Sequence, residues 1–130
     1  METKKLTIFL VDDDKFLLDM YAKKFTSGGL NVEALCGSEV GLKRLRDGAV
    51  PDILLLDIIM PNMDGLELLE IIRKENLAKT STVIMLTNQS QASDIDKAKG
   101  LKVDGYIIKA TTIPSEVLAK VMEIHNNKHK

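Results

Sequence analysis

Short, nearly uninterrupted apolar runs alternate with amphipathic stretches five times along the chain, and no other feature narrows its possible folds as far. Leu6 to Val11, Asp52 to Asp57, Thr82 to Thr87 and Gly105 to Ile108 are almost continuously apolar. Strands of a parallel sheet, buried on both faces, read this way. Asn31 to Leu35 alternates polar with apolar residues, as an edge strand does.

Helical periodicity fills the intervals. Phe16, Leu17, Met20, Tyr21 and Phe25 are expected on the buried face of a first helix, which Gly28-Gly29 stops. Leu42 and Leu45 mark a second, opened by Ser38 and closed near Gly48. A third begins at Asp64, with Glu67 completing a capping box, and is expected to bury Leu66, Leu69, Ile71 and Ile72. A fourth lies between about Ser90 and Gly100 and is the least apolar. A fifth carries Val117, Leu118, Val121 and Ile124, with Pro114 accommodated in its first turn. Five β-then-α units with short connections imply one α/β domain with helices on both faces of a parallel sheet. At 130 residues the chain is expected to be that single domain, with a core from about 5 to 125 and a frayed, polar and basic tail over residues 126–130.

Charge and cysteine use exclude several function classes. A formal net charge of -1 gives no electrostatic case for direct nucleic-acid binding. No stretch approaches a membrane span, and the start of the chain does not read as a signal peptide. Cys36 alone can make no internal disulfide and is expected as a small buried residue near the edge strand, in a cytoplasmic protein. His125 and His129 are expected to be exposed and without function, and most of the methionines to be core filler.

In open parallel sheets, ligands bind beyond the carboxyl ends of the strands, where strand order reverses. Asp12, Asp13 and Asp14 follow the first strand and Asp57 ends the third run; Thr87 ends the fourth and Lys109 follows the fifth. In the order 2-1-3-4-5 the first and third strands are neighbours, so Asp57 faces Asp12 and Asp13. Carboxylates crowded this closely repel, and a hard divalent cation such as Mg²⁺ or Mn²⁺ would relieve them while leaving coordination positions for phosphoryl oxygens. Asp57 then has the makings of a nucleophile, with Thr87 and Lys109 around the transferred group. Simpler readings apply residue by residue. Asp14 is expected to cap the following helix. Thr87 alone would be an ordinary strand residue, Lys109 a surface lysine and Tyr106 a half-buried packing residue. Their shared placement on one rim is what singles them out.

At these positions the sequence resembles the receiver domains of bacterial two-component response regulators, closest in size to the single-domain chemotaxis type. Val11-Asp12-Asp13-Asp14, Asp57-Ile58-Ile59-Met60-Pro61-Asn62-Met63-Asp64-Gly65, Leu86-Thr87 and Tyr106-Ile107-Ile108-Lys109 carry the resemblance, which spans essentially the whole chain. It implies a flavodoxin-like (βα)5 three-layer sandwich with a five-stranded parallel sheet in the order 2-1-3-4-5. It also implies that Asp57 accepts a phosphoryl group from a sensor histidine kinase or phosphotransfer protein. Asp12, Asp13, Asp57 and the backbone carbonyl of Ile59 would serve Mg²⁺, with Asp12 acting mostly through water. Lys109 would contact the phosphoryl group, Thr87 would move toward it, and Tyr106 would swing inward. The surface of the fourth helix, fifth strand and fifth helix would then change toward a downstream protein target.

Three positions depart from the family pattern. Ala110 stands where a proline usually follows the lysine in a cis peptide. A cis bond without proline costs about 2.5–4 kcal/mol, so a trans Lys109–Ala110 bond is expected. Asn88, where a small residue is usual, could partly shield the phosphoryl group. Ile59 is apolar beside the site, with Gln89 on its other side.

Three other functions compete with this reading. A haloacid-dehalogenase-like phosphatase would follow the Asp12-x-Asp14 pair with Gly-Thr or similar, but Lys15-Phe16 stand there. A flavodoxin-like nucleotide or flavin binder would offer N–H groups and hydroxyls, not three aspartates, in the first turn. A phosphorylation-blind receiver acting as an interaction module is the third.

Overall fold

The computed structural model describes residues 5–129. Its elements run β1 (Thr7–Asp12), α1 (Lys15–Ser27), β2 (Asn31–Cys36), α2 (Ser38–Arg46), β3 (Ile53–Leu56), α3 (Gly65–Lys74), β4 (Thr82–Thr87), α4 (Ala92–Gly100), β5 (Gly105–Ile108), a 3-10 turn (Lys109–Thr111) and α5 (Pro114–Lys128). All strands are parallel, in the order β2-β1-β3-β4-β5, as the sequence led us to expect.

Period-two alternation along the central strands divides the core into two layers. Phe9, Val11, Leu54, Leu56, Val83 and Met85 point to one side, against Leu42 and Leu45 of α2, Leu66, Leu68, Leu69 and Ile72 of α3, and Ala98 of α4. Ile8, Leu10, Ile53, Leu55, Ile84, Leu86 and Ile107 point to the other, against Leu18, Tyr21 and Phe25 of α1 and Val117 and Val121 of α5. Full burial of each such side chain is worth about 1.5–3 kcal/mol, so the sheet is held rigidly from both faces. Its carboxyl edge is therefore a firm platform.

The helix starts follow their local chemistry. Asp14 caps α1, its carboxylate accepting from the N–H groups of Phe16 and Leu17. Asp64 and Glu67 form the expected capping box on α3. At α2 the cap is Gly37, at φ 102°, and Ser38 is the first helical residue, with a buried hydroxyl.

Several local expectations are corrected. Phe16 is 78% exposed, because the buried stripe of α1 passes through Leu18, Tyr21 and Phe25 and leaves position 16 on the far side. Ile71 is only half-buried. Cys36 is exposed: alternation along the edge strand turns Leu35 inward and Cys36 outward. The tail is not frayed over 126–128, because α5 continues through Lys128, whose Nζ donates to the Ser81 carbonyl at 2.8 Å and pairs with Asp104 at 3.0 Å. Lys130 lies outside the described residues. His125 is buried, not exposed, and its Nδ1 is 2.7 Å from the Thr82 hydroxyl; exposed His129 places Nε2 3.3 Å from the same oxygen. No helix among the described residues is long and apolar enough to cross a membrane.

Candidate functional site

The carboxyl ends of β1 and β3 lie side by side, paired from Ile8–Ile53 through Val11–Leu56. The next residue on each strand is an aspartate, and the Asp57 N–H donates to the Val11 carbonyl at 3.0 Å, which carries the pairing one step past β3. Asp12 and Asp57 thus emerge next to each other for reasons of strand register alone. Asp13 follows on the open side. Carboxylate oxygens of Asp12, Asp13 and Asp57 lie within 4.8 Å of one another, with Asp12 and Asp57 buried and Asp13 exposed.

Lys109 enters this cluster from the turn after β5. Its Nζ is 2.5 Å from Asp12 Oδ2 and 3.0 Å from Asp57 Oδ2, with the ammonium-bearing side chain only 8% exposed. The Lys109–Ala110 bond is trans, as are all the described peptide bonds, and the side chain reaches both carboxylates in that geometry. Burial pushes the Asp12 carboxyl up from its ordinary value, and the hydrogen bonds from Lys109 and the Asp14 N–H only partly offset it. For Lys109 burial acts the other way, lowering it, but Asp12 and Asp57 together outweigh burial and hold the ammonium above its ordinary value. The two directions agree on one point: one ammonium does not fully neutralise this pocket.

The remaining oxygens of the pair are fixed by backbone. Asp57 Oδ1 accepts from the Ile58 N–H at 2.7 Å, and Asp12 Oδ1 accepts from the Asp14 N–H at 3.0 Å. The loop after Asp57 is held by an unusually close backbone approach. The Gly65 N–H donates to the Ile58 carbonyl at 2.8 Å, and a Cβ at position 65 would lie 1.9 Å from the Asp57 carbonyl oxygen. Only glycine fits there. The Ile59 side chain, 56% exposed, stands in this loop two residues after Asp57.

The fourth and fifth strands bring the other rim residues. Thr87 ends β4 fully buried, and its Oγ1 accepts from the Gln89 N–H at 3.3 Å. Tyr106 is half-buried against the α2–α3 core layer and donates its hydroxyl hydrogen to the Gln89 carbonyl at 2.6 Å. The Asn88 carboxamide is engaged with the backbone: Oδ1 accepts from the Ala110 N–H at 2.7 Å. The structure thus brings Lys109 into contact with Asp12 and Asp57, places an Asp13 carboxylate oxygen within 4.8 Å of theirs, and sets Thr87 and Tyr106 around the loop that follows β4. Sequence reasoning missed the parts played by Asn88 and Gln89. The one signal for Asn88 was that positions 88 and 110 both depart from the family pattern; Gln89 acts through its backbone carbonyl, which no side-chain pattern marks.

Chemically, the donor set is all oxygen and carries more negative than positive charge. Such a set suits a small hard divalent cation of the Mg²⁺ or Mn²⁺ kind and disfavours softer metals. Within the set, the Lys109 ammonium lies within hydrogen-bond reach of the Asp57 carboxylate.

The comparisons with known proteins bear on the family and the fold. Residues 8–122 match the response regulator receiver domain family. The chain is 32% identical over 116 residues to the regulatory protein VanRc of Enterococcus gallinarum, covering 88% of this chain and 47% of that protein. It is 31% identical over 119 residues to the probable transcriptional regulator ycf27 of Cyanidium caldarium, covering 90% of this chain and 45% of that protein. The chain spans about half the length of these curated relatives. Among solved structures it is similar to a CheY-like response regulator receiver domain protein from Methanospirillum hungatei JF-1, with a TM-score of 0.87 and 27% identity over 97% of this chain and 98% of that one.

Proposed function

We propose a role for this chain from one premise: it belongs to the response regulator receiver domain family. Receiver domains serve phosphorylation-dependent signalling in two-component systems, and they are switches, not classical enzymes. We infer that the phosphoacceptor here is Asp57, supplied by the phosphohistidine of a sensor kinase or phosphotransfer protein. The observation that carries this reading is the buried Asp57 carboxylate, held between Asp12, Asp13 and the Lys109 ammonium at the carboxyl edge of the sheet.

In the proposed reaction an Asp57 carboxylate oxygen attacks phosphorus while the P–N bond to the donor imidazole breaks, leaving its electron pair on nitrogen. An acyl phosphate forms on Asp57 and the donor histidine regains a neutral ring once it takes up a proton as needed. Asp57 is oriented for this by the Ile58 N–H on Oδ1. Lys109, now shared by Asp12 and Asp57, would turn one of its N–H donors to the phosphoryl oxygens, and the Thr87 hydroxyl would supply another. Asp12, Asp13, Asp57 and the Ile59 carbonyl would hold Mg²⁺ or Mn²⁺. That ion supplies charge neutralisation for the incoming phosphoryl oxygens.

The response would pass through Thr87, Tyr106 and α4 to the α4–β5–α5 surface, where a protein target reads it. The weak anchoring of α4 favours this: Ala98 is its only buried residue, so moving it disturbs little of the core. Water attack on the acyl phosphate, assisted by the same residues, would reset the switch.

Mass spectrometry after treatment with acetyl phosphate, with and without Mg²⁺, tests the reading on wild type and Asp57→Asn. The expected result is a Mg²⁺-dependent gain of about 80 Da, one phosphoryl group, that is missing from the variant. Failure of wild type both to gain that mass and to bind beryllium fluoride would replace the proposal with a phosphorylation-blind interaction module.

A further inference from the structure

We infer that Asn88 is a positioning residue for Lys109: its side-chain carbonyl, by accepting from the Ala110 N–H, fixes the turn from which the ammonium reaches Asp57. The inference rests on the reading of Asp57 and Lys109 as the phosphoryl-transfer pair. It is carried by how little else holds that turn.

The 3-10 turn Lys109–Thr111 buries none of its residues, and Ala110 and Thr111 are exposed. Packing therefore does not fix it. Its own hydrogen bonds are long: Thr112 N–H to the Lys109 carbonyl at 3.3 Å, and the Thr111 hydroxyl to the Ile108 carbonyl at 3.4 Å. The second N–H of such a turn has no partner within the turn. Ala110 supplies that N–H, and Asn88 Oδ1 takes it at 2.7 Å, the shortest of the three contacts. A residue without a backbone N–H at position 110 could not receive this tether, and a residue without a side-chain acceptor at position 88 could not provide it. The two departures from the family pattern at 88 and 110 are thus the two ends of one hydrogen bond.

Its placement gives it leverage on the chemistry. Asn88 is bonded in the chain to Thr87, and Ala110 to Lys109, so the tether joins the two non-acidic groups of the site through one link. Without it, the Lys109 backbone gains freedom about an exposed turn, and its ammonium must find Asp12 and Asp57 from a wider range of starting positions. Water would satisfy the exposed Ala110 N–H in that case. The cost of losing the tether therefore falls on the aim of Lys109 more than on the stability of the fold.

The test uses the full chain as wild type, Asn88→Ala, Ala110→Pro and the double variant. Two quantities are read: the rate of Mg²⁺-dependent phosphorylation by acetyl phosphate, followed by mass, and the amide hydrogen exchange of Ala110 where that amide exists. We expect Asn88→Ala to slow phosphorylation roughly five- to tenfold, on the scale by which misplaced reacting groups slow a reaction. Its Ala110 amide should exchange faster, with the midpoint of thermal unfolding nearly unchanged. In the Ala110→Pro background, where no donor remains, Asn88→Ala should change the rate by less than about twofold. A rate for Asn88→Ala within about twofold of wild type, or an undiminished effect of Asn88→Ala in the proline background, would overturn the inference while leaving Asp57 as acceptor. Absence of phosphorylation in wild type itself would overturn the underlying reading, and the positioning role with it.

Discussion

Gly65 packs against the backbone of Asp57 so closely that a Cβ on it would lie 1.9 Å from the Asp57 carbonyl oxygen and 2.8 Å from its carbonyl carbon. The glycine that starts α3 is therefore what allows the loop after β3 to fold back under Asp57, the proposed acceptor. The neighbours it would strike are backbone atoms, which cannot rotate away. Gly65→Ala is expected to cost about 1–3 kcal/mol of stability through overpacking. Because the strain is delivered at Asp57, its rate of phosphorylation by acetyl phosphate should fall as well. Urea unfolding and the mass-shift assay measure the two effects; a variant with full stability and full rate would show that the loop relaxes freely.

Among the described residues, Lys109 is the one cation in contact with two buried carboxylates. Removing it in Lys109→Met leaves them uncompensated, and loss of one partner from a buried ion cluster costs about 3 kcal/mol or more. Unfolding in the presence of EDTA should show a destabilised variant at neutral pH. Millimolar Mg²⁺ should then stabilise Lys109→Met more than wild type, because the ion takes over the neutralisation that the ammonium provided. Equal Mg²⁺ shifts in both proteins would mean that the ion does not bind among these carboxylates.

At the opposite end of the sheet, burial and then the neighbouring His129 hold the His125 imidazole below its ordinary value, with Lys128 adding to the effect and Asp52 and Asp104 opposing it. In the window between that lowered value and the unfolded one near 6.5, the unfolded chain binds more protons than the folded one. Stability therefore rises with pH through this window and is lost as pH falls through and below about 6.5. Unfolding midpoints between pH 7.5 and pH 5.5 should decline in wild type, and His125→Gln should flatten that decline. An identical slope in the variant would assign the pH dependence to other groups.

Tyr106→Phe removes one hydrogen bond and little volume. Loss of the contact to the Gln89 carbonyl should lower stability by about 0.5–1.5 kcal/mol. The more telling readout is local: amide exchange over residues 89–91 should quicken, since the Tyr106 hydroxyl fastens the loop that leads into α4. Unaltered exchange there would show that the Gln89–Asp94 side-chain contact suffices to hold it.

How much of this was legible beforehand depended on whether the signal was local or depended on partners distant in the chain. The sheet was legible because strands covered on both faces are almost entirely apolar, as Ile53 to Leu56 and Val83 to Leu86 are. The acidic cluster was legible because its members sit one residue from the ends of such runs. His125 could have been placed from helix phase, since Val117, Val121 and His125 repeat every four residues along α5; its polarity suggested exposure, but Thr82 offers it a buried partner. Phe16 and Cys36 were misplaced for the converse reason, with apolar character outweighing the phase of α1 and the alternation of β2. The Asn88–Ala110 bond was signalled only by two departures from the family pattern, and nothing local paired them, because it joins residues 22 apart through one side-chain oxygen.

Three consecutive residues after β4 each hold a different part of the rim. Thr87 accepts from the Gln89 N–H at the buried end of β4, Asn88 ties the turn that bears Lys109, and Gln89 receives Tyr106 through its carbonyl and reaches α4 through Asp94. Neighbouring Cα atoms are fixed about 3.8 Å apart, so this segment has almost no slack. A displacement of Thr87 by about 1 Å would stretch contacts of 2.6 and 2.7 Å past the useful range of a hydrogen bond unless their partners follow. On the proposed reading, a movement of Thr87 would draw the turn bearing Lys109, the Tyr106 hydroxyl and the start of α4 along together, because all three are fastened to the two residues that follow it.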